Sequence, residues 1–398
     1  MPPGHTSAHR TALALWRGAA LALLAVSSYW ALRLAWADHL SYSPDVAARE
    51  HALALAPLLA PFAERVAQRR EELGVDSLPA LERAQTLDPE NPDRLMRLGQ
   101  RAELAGDTVL AEQSLRAAAA RSRLYQPKYL LAQYYFRRGN EELFWKWARA
   151  ALETSPGNLA PVFELCWRMR PNAEWLNRNI IPARREVWRE YLTYLTDREH
   201  WAPAAAAARS LAETAVGADV ESLVRYCETS LAQGQAREPW EVWNTLCRRG
   251  LLPGPPPDPD HNQFLTNGGF EHAPAGQGFD WHLGGQAGVS VAAEPGQLRV
   301  TFSGHQPEQC PLAWQFVSLQ PGTRYRLRYE VRAPGKDAAS GIAAEILGAT
   351  PQAGSTGSLV FVASQELGRV FLIYRRPAGS VRVEGTVAIA DVRLERAP

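Results

Sequence analysis

Four histidines, His261, His272, His282 and His305, lie close together in the last third of the chain. Imidazole is a common metal ligand and titrates near neutral pH, so a metal site is one reading of them. No HExxH-type spacing puts two of them on one helix face, and solvated loop histidines are the other reading. Glu330 and Glu345 form a carboxylate pair in the same region. Glycoside hydrolysis needs two such groups at a set separation, and nothing in the sequence places these two opposite each other. Gly354-Ser355-Thr356-Gly357 reads as a flexible turn. It is not a GxSxG elbow, no phosphate-binding loop is present, and no GxGxxG follows a strand pattern. The chain is therefore expected to be non-enzymatic.

Lys and Arg total 43 against 42 Asp and Glu, so no bulk charge draws the chain to nucleic acid. Its 398 residues suggest two or three domains. The 13 Trp are many, and large aromatics fill cores or form flat ligand platforms. The cysteines are Cys166, Cys227, Cys247 and Cys310, with no CxxC pair to suggest zinc or a redox motif. Cys227 and Cys247 fall on two helices expected to be neighbours. They could be bonded if the chain is exported, or serve as small buried core residues.

The stretch from Gly18 to Leu32 carries no charge. With its flanks, Thr11 to Trp36 reaches membrane-spanning length if Arg17 and Arg33 snorkel to the interfaces. Trp16, Tyr29, Trp30 and Trp36 lie toward its two ends like interfacial belts. Arg10 and Arg17 favour a cytoplasmic N-terminus, leaving the bulk outside. Ala35-Trp36-Ala37 also fits a small-x-small cleavage site. A retained anchor and a cleaved signal peptide thus both fit, and both export the remainder. The retained form predicts a single-pass inner-membrane protein with a periplasmic bulk. Residues 1–40 would be a cytoplasmic stub and transmembrane anchor, and the protein's neighbours would include the membrane but no nucleic acid.

Two unlike halves follow, meeting at Pro253-Gly254-Pro255-Pro256-Pro257-Asp258-Pro259. Prolines lack N–H donors and cannot continue a helix. A stiff, extended spacer is expected over 253–261. Before it, residues 41–252 read as helices. Leu95, Leu98, Gly99, Ala102, Gly106, Ala111, Leu115 and Ala118 are echoed 33 residues on by Lys128, Leu131, Ala132, Tyr135, Gly139, Phe144, Ala148 and Ala151. Gly106-Asp107 and Gly139-Asn140 supply turns between paired helices, and Pro89 and Pro156 mark repeat ends. Over residues 79–157 this small/large pattern resembles the tetratricopeptide repeat family, with Leu95 and Lys128 where that family often has Trp. Arg184–Leu195 with Trp201–Thr214, and Asp219–Leu231 with Pro239–Arg248, read as divergent pairs. Residues 44–72 read as a leading helix or pair broken by Pro57 and Pro61. Arg184-Arg185 reads as a solvated helix start. A stacked array of this kind forms a solenoid. The resemblance implies a protein partner on a concave face, for which Tyr125, Lys128, Tyr129, Tyr134, Trp145 and Trp147 are candidates. Packing between helices is the competing role for these aromatics.

After the proline run, residues 262–398 read as strands. Arg324, Arg326 and Arg328 alternate with Tyr325, Leu327, Tyr329 and Val331, the period of a half-buried strand. Leu298, Val300 and Phe302 mark another strand, and Ala388, Ala390, Val392 and Leu394 a last one. Val370–Tyr374 is apolar on both faces and suits a central strand. Roughly eight short strands with Gly/Pro turns fit an antiparallel all-β sandwich. Three segments then resemble one family. They are Leu265-Thr266-Asn267-Gly268-Gly269-Phe270-Glu271 with Phe279-Asp280-Trp281, Leu319-Gln320-Pro321-Gly322-Thr323-Arg324-Tyr325, and Ala388-Ile389-Ala390-Asp391-Val392-Arg393-Leu394. In this order they resemble the jelly-roll, galactose-binding-like carbohydrate-binding modules of the family four and family nine type, over residues 262–397.

The resemblance implies a structural calcium where first and last strands meet, held by Glu271 and Asp391. Ala390 stands where a second acid is common. It also implies glycan binding by aromatic platforms and polar partners. Candidates are Trp314, Trp281, Tyr329 and Tyr374, with Gln315 and Gln306 beside them. Arg324, Arg326 and Arg328 could meet an acidic polymer or simply face solvent. Together these features lead to the expectation of a membrane-anchored scaffold. Its repeats would hold a protein and its β module a polysaccharide, in bacterial cell-envelope or exopolysaccharide assembly. A purely structural interaction protein without a sugar site, or a non-catalytic subunit of an envelope enzyme complex, are the alternatives.

Overall fold

The computed structural model describes residues 6–154, 157–333, 341–355 and 357–398. Pro156 and Thr356, expected at a repeat end and a flexible turn, lie outside them. The order is helices first and strands after. The chain divides into two compact units, one of Met1–Asn172 with Arg178–Pro182, the other of Ala173–Asn177 with Ala183–Pro398.

The first unit begins with α1 (Thr6–Ser41), then α2 (Val46–Leu55), α3 (Ala60–Glu72) and α4 (Leu78–Leu87). Within α1, Leu15–Ser41 is long and apolar enough to cross a membrane, a test that a signal sequence also passes. Its side chains are exposed from Leu15 to Leu32. Beyond that the helix joins the packed array, with Ala37 buried among Ala52, Leu53, Phe62 and Ala63. Residues 44–72 form a pair of helices. Pro57 lies in the turn, whereas Pro61 sits in the first turn of α3, where no N–H is required.

Next come α5 (Pro92–Ala105), α6 (Thr108–Arg121), α7 (Tyr125–Arg137), α8 (Glu141–Thr154) and α9 (Ala160–Met169). The 33-residue offset is visible in the starts of α5 and α7, and of α6 and α8. Local chemistry sets these ends. The Asn91 side chain accepts from the N–H groups of Asp93 and Arg94, ahead of Pro92 in the first turn. Gly106 closes α5 in the left-handed region, φ 86°, and Asp107 then caps α6 through the Leu110 N–H. Inside the pair a Cβ on Gly99 would lie 2.7 Å from Leu115 Cγ. The small residue is therefore what lets α5 and α6 approach.

After α10 (Ala173–Asn179), the second unit holds α11 (Arg185–Asp197), α12 (Trp201–Glu213), α13 (Val220–Ala232) and α14 (Arg237–Arg248). Arg185 is not a solvated start. Its guanidinium and that of Arg189 reach the fully buried Asp219 at 2.7 and 3.3 Å, because a carboxylate taken out of water needs paired charge.

Ten strands among the described residues form two antiparallel sheets. The four-stranded sheet has the order β1 (His282–Leu283), β4 (Gln309–Ser318), β9 (Leu367–Arg375), β6 (Ile342–Leu347). The six-stranded sheet has the order β2 (Val289–Glu294), β3 (Gln297–Ser303), β10 (Glu384–Arg396), β5 (Arg324–Arg332), β8 (Ser358–Ala363), β7 (Ala349–Ser355). They share one core, to which Leu312, Val370 and Leu372 come from the first sheet and Leu298, Val300 and Leu327 from the second. Strand β5 alternates as expected, with Tyr325, Leu327 and Tyr329 inward, and β9 is central in its sheet. In β10 the alternation breaks. A bulge between Ala390 and Arg393, with Asp391 at φ 49°, turns Val387 and Ile389 inward before it and Val392 and Leu394 inward after it. Ala388 therefore leaves the expected inward row, since one extra residue shifts a period-two pattern by one.

The proline run does not act as a free spacer. Pro257 is buried, and Pro255 and Pro256 line a cavity together with the opening motif of the β region. Trp240 and Trp243 of α14 pack edge-on against Phe279, centroids 5.0 and 6.1 Å apart. The Gly278 N–H donates to the Glu228 carboxylate of α13, and a Cβ at Gly278 would overlap the Trp243 ring. Burying such aromatics contributes about 1.5–3 kcal/mol each, enough to draw helices and sheets into one unit.

Candidate functional site

The core claims most of the expected sugar platforms. Trp281 and Tyr374 are fully buried and Tyr329 nearly so. Trp281 donates its Nε1–H to the Asn267 carbonyl at 3.1 Å and packs on Phe270, and Tyr374 packs on Phe302. Gln315 and Gln306 are also fully buried. Their amides donate to the carbonyls of Thr266 and Val383, at 2.8 and 2.7 Å. These five side chains are structural, because a ligand could reach them only by opening the core.

Trp314 is different. It points to the outer face of the four-stranded sheet. There His282, Trp314, Phe371 and Glu345 are cross-strand neighbours in a single row over β1, β4, β9 and β6. The His282 ring stacks on the indole at 3.7 Å and 3°. Phe316 meets the indole edge-on at 5.2 Å, and Phe371 lies 6.4 Å away. The Arg369 guanidinium sits 4.6 Å from the Trp314 centroid and 4.5 Å from that of Phe316, a cation–π arrangement. No carboxylate among the described residues pairs with Arg369, and burial holds its pKa below the ordinary value. Burial also depresses His282, partly opposed by the Glu228 carboxylate.

A polar network continues from Glu345, at the end of that row. Glu345 accepts from Gln309 Nε2 at 3.3 Å and from Arg375, while Arg375 Nε donates to Gln309 Oε1 at 3.4 Å. Beside it opens a cavity of about 440 Å³ at the free edge of β6, lined by Glu345, Leu347, Pro351, Leu359, Phe371 and Arg375. Flat rings next to fixed donors and acceptors can stack the apolar face of a sugar and bind its hydroxyls. Of the residues expected to bind glycan only Trp314 belongs here, joined by His282 and Glu345, which the sequence offers for other chemistry. Phe371 was hidden by its strand, whose apolar run masks which side chains point outward. Arg369, Arg375, Gln309 and Glu345 become visible as site residues only once β4, β9 and β6 are in register.

Other expected residues are placed elsewhere. Arg324, Arg326 and Arg328 line the outer side of the six-stranded sheet. There Arg324 donates to the Pro398 carbonyl at 3.0 Å, and Arg326 stands opposite Glu395. Glu330 is on that sheet too, paired with Arg332, on a different sheet from Glu345. On α7, Tyr125, Lys128 and Tyr129 share one face, the two phenol rings stacked at 5.3 Å; burial raises both phenols and lowers Lys128. Tyr134 instead turns inward and donates to the Thr108 carbonyl at 3.0 Å. Trp145 packs on Phe144, and Trp147 lies under Lys146.

Glu271 and Asp391 both line a cavity of about 400 Å³, along with His261 and His272. Carboxylates and turn carbonyls are hard-oxygen donors suited to calcium, but Arg393 holds Asp391 at 2.6 Å and competes with any cation. His282 and His305 lie apart from this cavity. No group of three His, Cys, Asp or Glu among the described residues is placed to hold a metal. All four cysteines are buried, unbonded thiols, Cys227 and Cys247 included. No family model matches the chain, and no curated protein matches it.

Proposed function

We propose that this chain is a membrane-anchored, extracytoplasmic, non-enzymatic scaffold. In this reading its repeats, of tetratricopeptide type, hold a protein partner, and its β region, of carbohydrate-binding-module jelly-roll type, holds a polysaccharide in cell-envelope or exopolysaccharide assembly. The observation that carries it is the row Trp314–Phe371 with the adjoining Gln309–Glu345–Arg375 network, a half-buried aromatic and polar surface on the outer face of the four-stranded sheet. The Tyr125–Lys128–Tyr129 face of α7 supports the protein-binding half. Anchoring is supported by Ala37, which is buried inside the array. Cleavage after Ala35-Trp36-Ala37 would cut a folded helix and remove a core residue.

The test is retention of the detergent-solubilised full chain on immobilised acidic and neutral polysaccharides. The full chain is needed because α13 and α14 pack on the β region. Retention that a soluble oligosaccharide competes away is expected; no retention on any polymer removes the sugar half of the reading. A calcium held by Glu271 and Asp391 belongs to the same reading. Calcium would then raise Tm by an amount set by its affinity, and Glu271→Gln would abolish that shift. An unchanged Tm in wild type would remove the ion.

A further inference from the structure

The turn between α2 and α3, Ala56-Pro57-Leu58-Leu59, leaves Leu58 80% and Leu59 43% exposed. Its place relative to α1 follows from four contacts. Helix α2 starts beside the end of α1, where Arg49 Nε donates to the Ser43 carbonyl at 2.7 Å. It ends where the Leu55 carbonyl accepts from Arg33 Nε at 2.8 Å. So α2 runs back along α1 toward its apolar stretch. Helix α3 then climbs away again: Arg65 pairs with Asp38 at 2.8 Å, and Arg69, a turn later, donates to the Pro44 carbonyl at 2.6 Å. The α2–α3 turn is thus the point of this helical pair nearest the apolar stretch, level with Arg33.

Arg33 marks the edge of that stretch. Its guanidinium lies 5.0 Å from the Trp30 ring centroid, and the side chains before it are exposed and uncharged back to Gly18. Trp16 and Trp36 are separated by about 30 Å of helix at 1.5 Å per residue, the thickness of a bilayer's hydrocarbon core. Arg33 lies about one turn before Trp36, and its guanidinium turns back along α1 to the Tyr29 hydroxyl at 3.5 Å, so the turn beside it lies at the inner edge of that interface. Arg83, exposed on α4, donates to the Pro57 carbonyl at 3.4 Å and places a cation beside the turn.

We propose that the Pro57-Leu58-Leu59 turn is a second membrane contact, with Leu58 seated at the headgroup–acyl boundary next to α1. It rests on the reading that α1 spans the bilayer. Two points of contact fix the tilt of the helical pair against the membrane, where a single helix would leave it free to swivel.

The test uses the full chain in vesicles of phosphatidylethanolamine and phosphatidylglycerol, with a polarity-sensitive fluorophore on Leu58→Cys. The native cysteines are all buried, so labelling is selective. Leu104→Cys, at an exposed site away from this turn, is the control. A blue-shifted emission at position 58 that is lost with shallow-brominated lipid, and neither effect at 104, is the expected result. If the two positions give the same water-like emission while the protein resists alkaline carbonate extraction, the turn contact is overturned and the anchor stands. If carbonate strips the protein, the anchor fails and the turn contact fails with it.

Discussion

The two outward faces of the β region obey the same alternation and carry opposite chemistry. On the six-stranded sheet the outward side chains are charged and satisfied: Arg299 with Glu294, Arg332 with Glu330, Arg393 with Asp391. Such exposed pairs contribute about 0–1 kcal/mol each and keep a sheet soluble. On the four-stranded sheet the outward row runs from aromatic rings to the Arg375–Glu345 pair, and a second guanidinium, Arg369, has no acidic partner among the described residues. The rings of Trp314, Phe371 and His282 are half-buried and Phe316 is buried, and the proposed reading takes this face as a contact site.

The sharpest way to break this contrast is to confuse it with the core. Trp281→Ala should cost about 3–5 kcal/mol, because the ring is fully buried and its Nε1–H is bonded. Chemical denaturation would show it as a shifted midpoint, with polysaccharide retention lost only where the protein unfolds. Equal stability of variant and wild type would mean Trp281 is not a core residue and would return it to the list of platforms.

Trp314→Ala should behave in the opposite way. Losing one stacking platform worth about 0.5–1.5 kcal/mol predicts a roughly two- to tenfold weaker polysaccharide affinity, with the unfolding midpoint changed less than by Trp281→Ala. The double variant Arg326→Gln/Arg328→Gln on the other sheet should leave that affinity within about twofold at physiological salt. Should the arginine variant lose affinity while Trp314→Ala keeps it, the binding face has been assigned to the wrong sheet.

What the sequence could show of this follows from the range of each signal. Helix pairs, Gly106-Asp107 and the 33-residue offset are local, so they were readable. So was the in–out order of β5, where arginines alternate with apolar residues. The inward turn of Val387 and Ile389 was not, because one bulge near Asp391 shifts the frame and nothing in the composition announces it. Trp281 and Trp314 look alike as letters. Only the pairing of β1, β4, β9 and β6 puts one in the core and the other in a row with His282 and Phe371. The Pro-rich corner misled for a related reason. Stiffness is local, whereas the contact of Trp240 and Trp243 with Phe279 spans many residues of chain.

His282 offers the finest probe of the aromatic face. Burial against Trp314 disfavours its imidazolium, and the Glu228 carboxylate offsets only part of that while Arg369 adds to it. The folded pKa therefore lies below the ordinary 6.5, and the folded state binds fewer protons than the unfolded chain in the window between them. Its contribution to stability is complete above 6.5 and is lost as pH falls through the folded value. The unfolding midpoint should be flat from pH 8 to about 7 and decline below about 6.5, whereas polysaccharide affinity, which reads the folded protein, should hold until pH reaches the lower folded value. His282→Phe keeps a flat ring on Trp314 but has no proton to gain, so its decline over that window should be shallower. An identical acid profile in variant and wild type would place the titrating group elsewhere and leave the stack a passive part of the sheet.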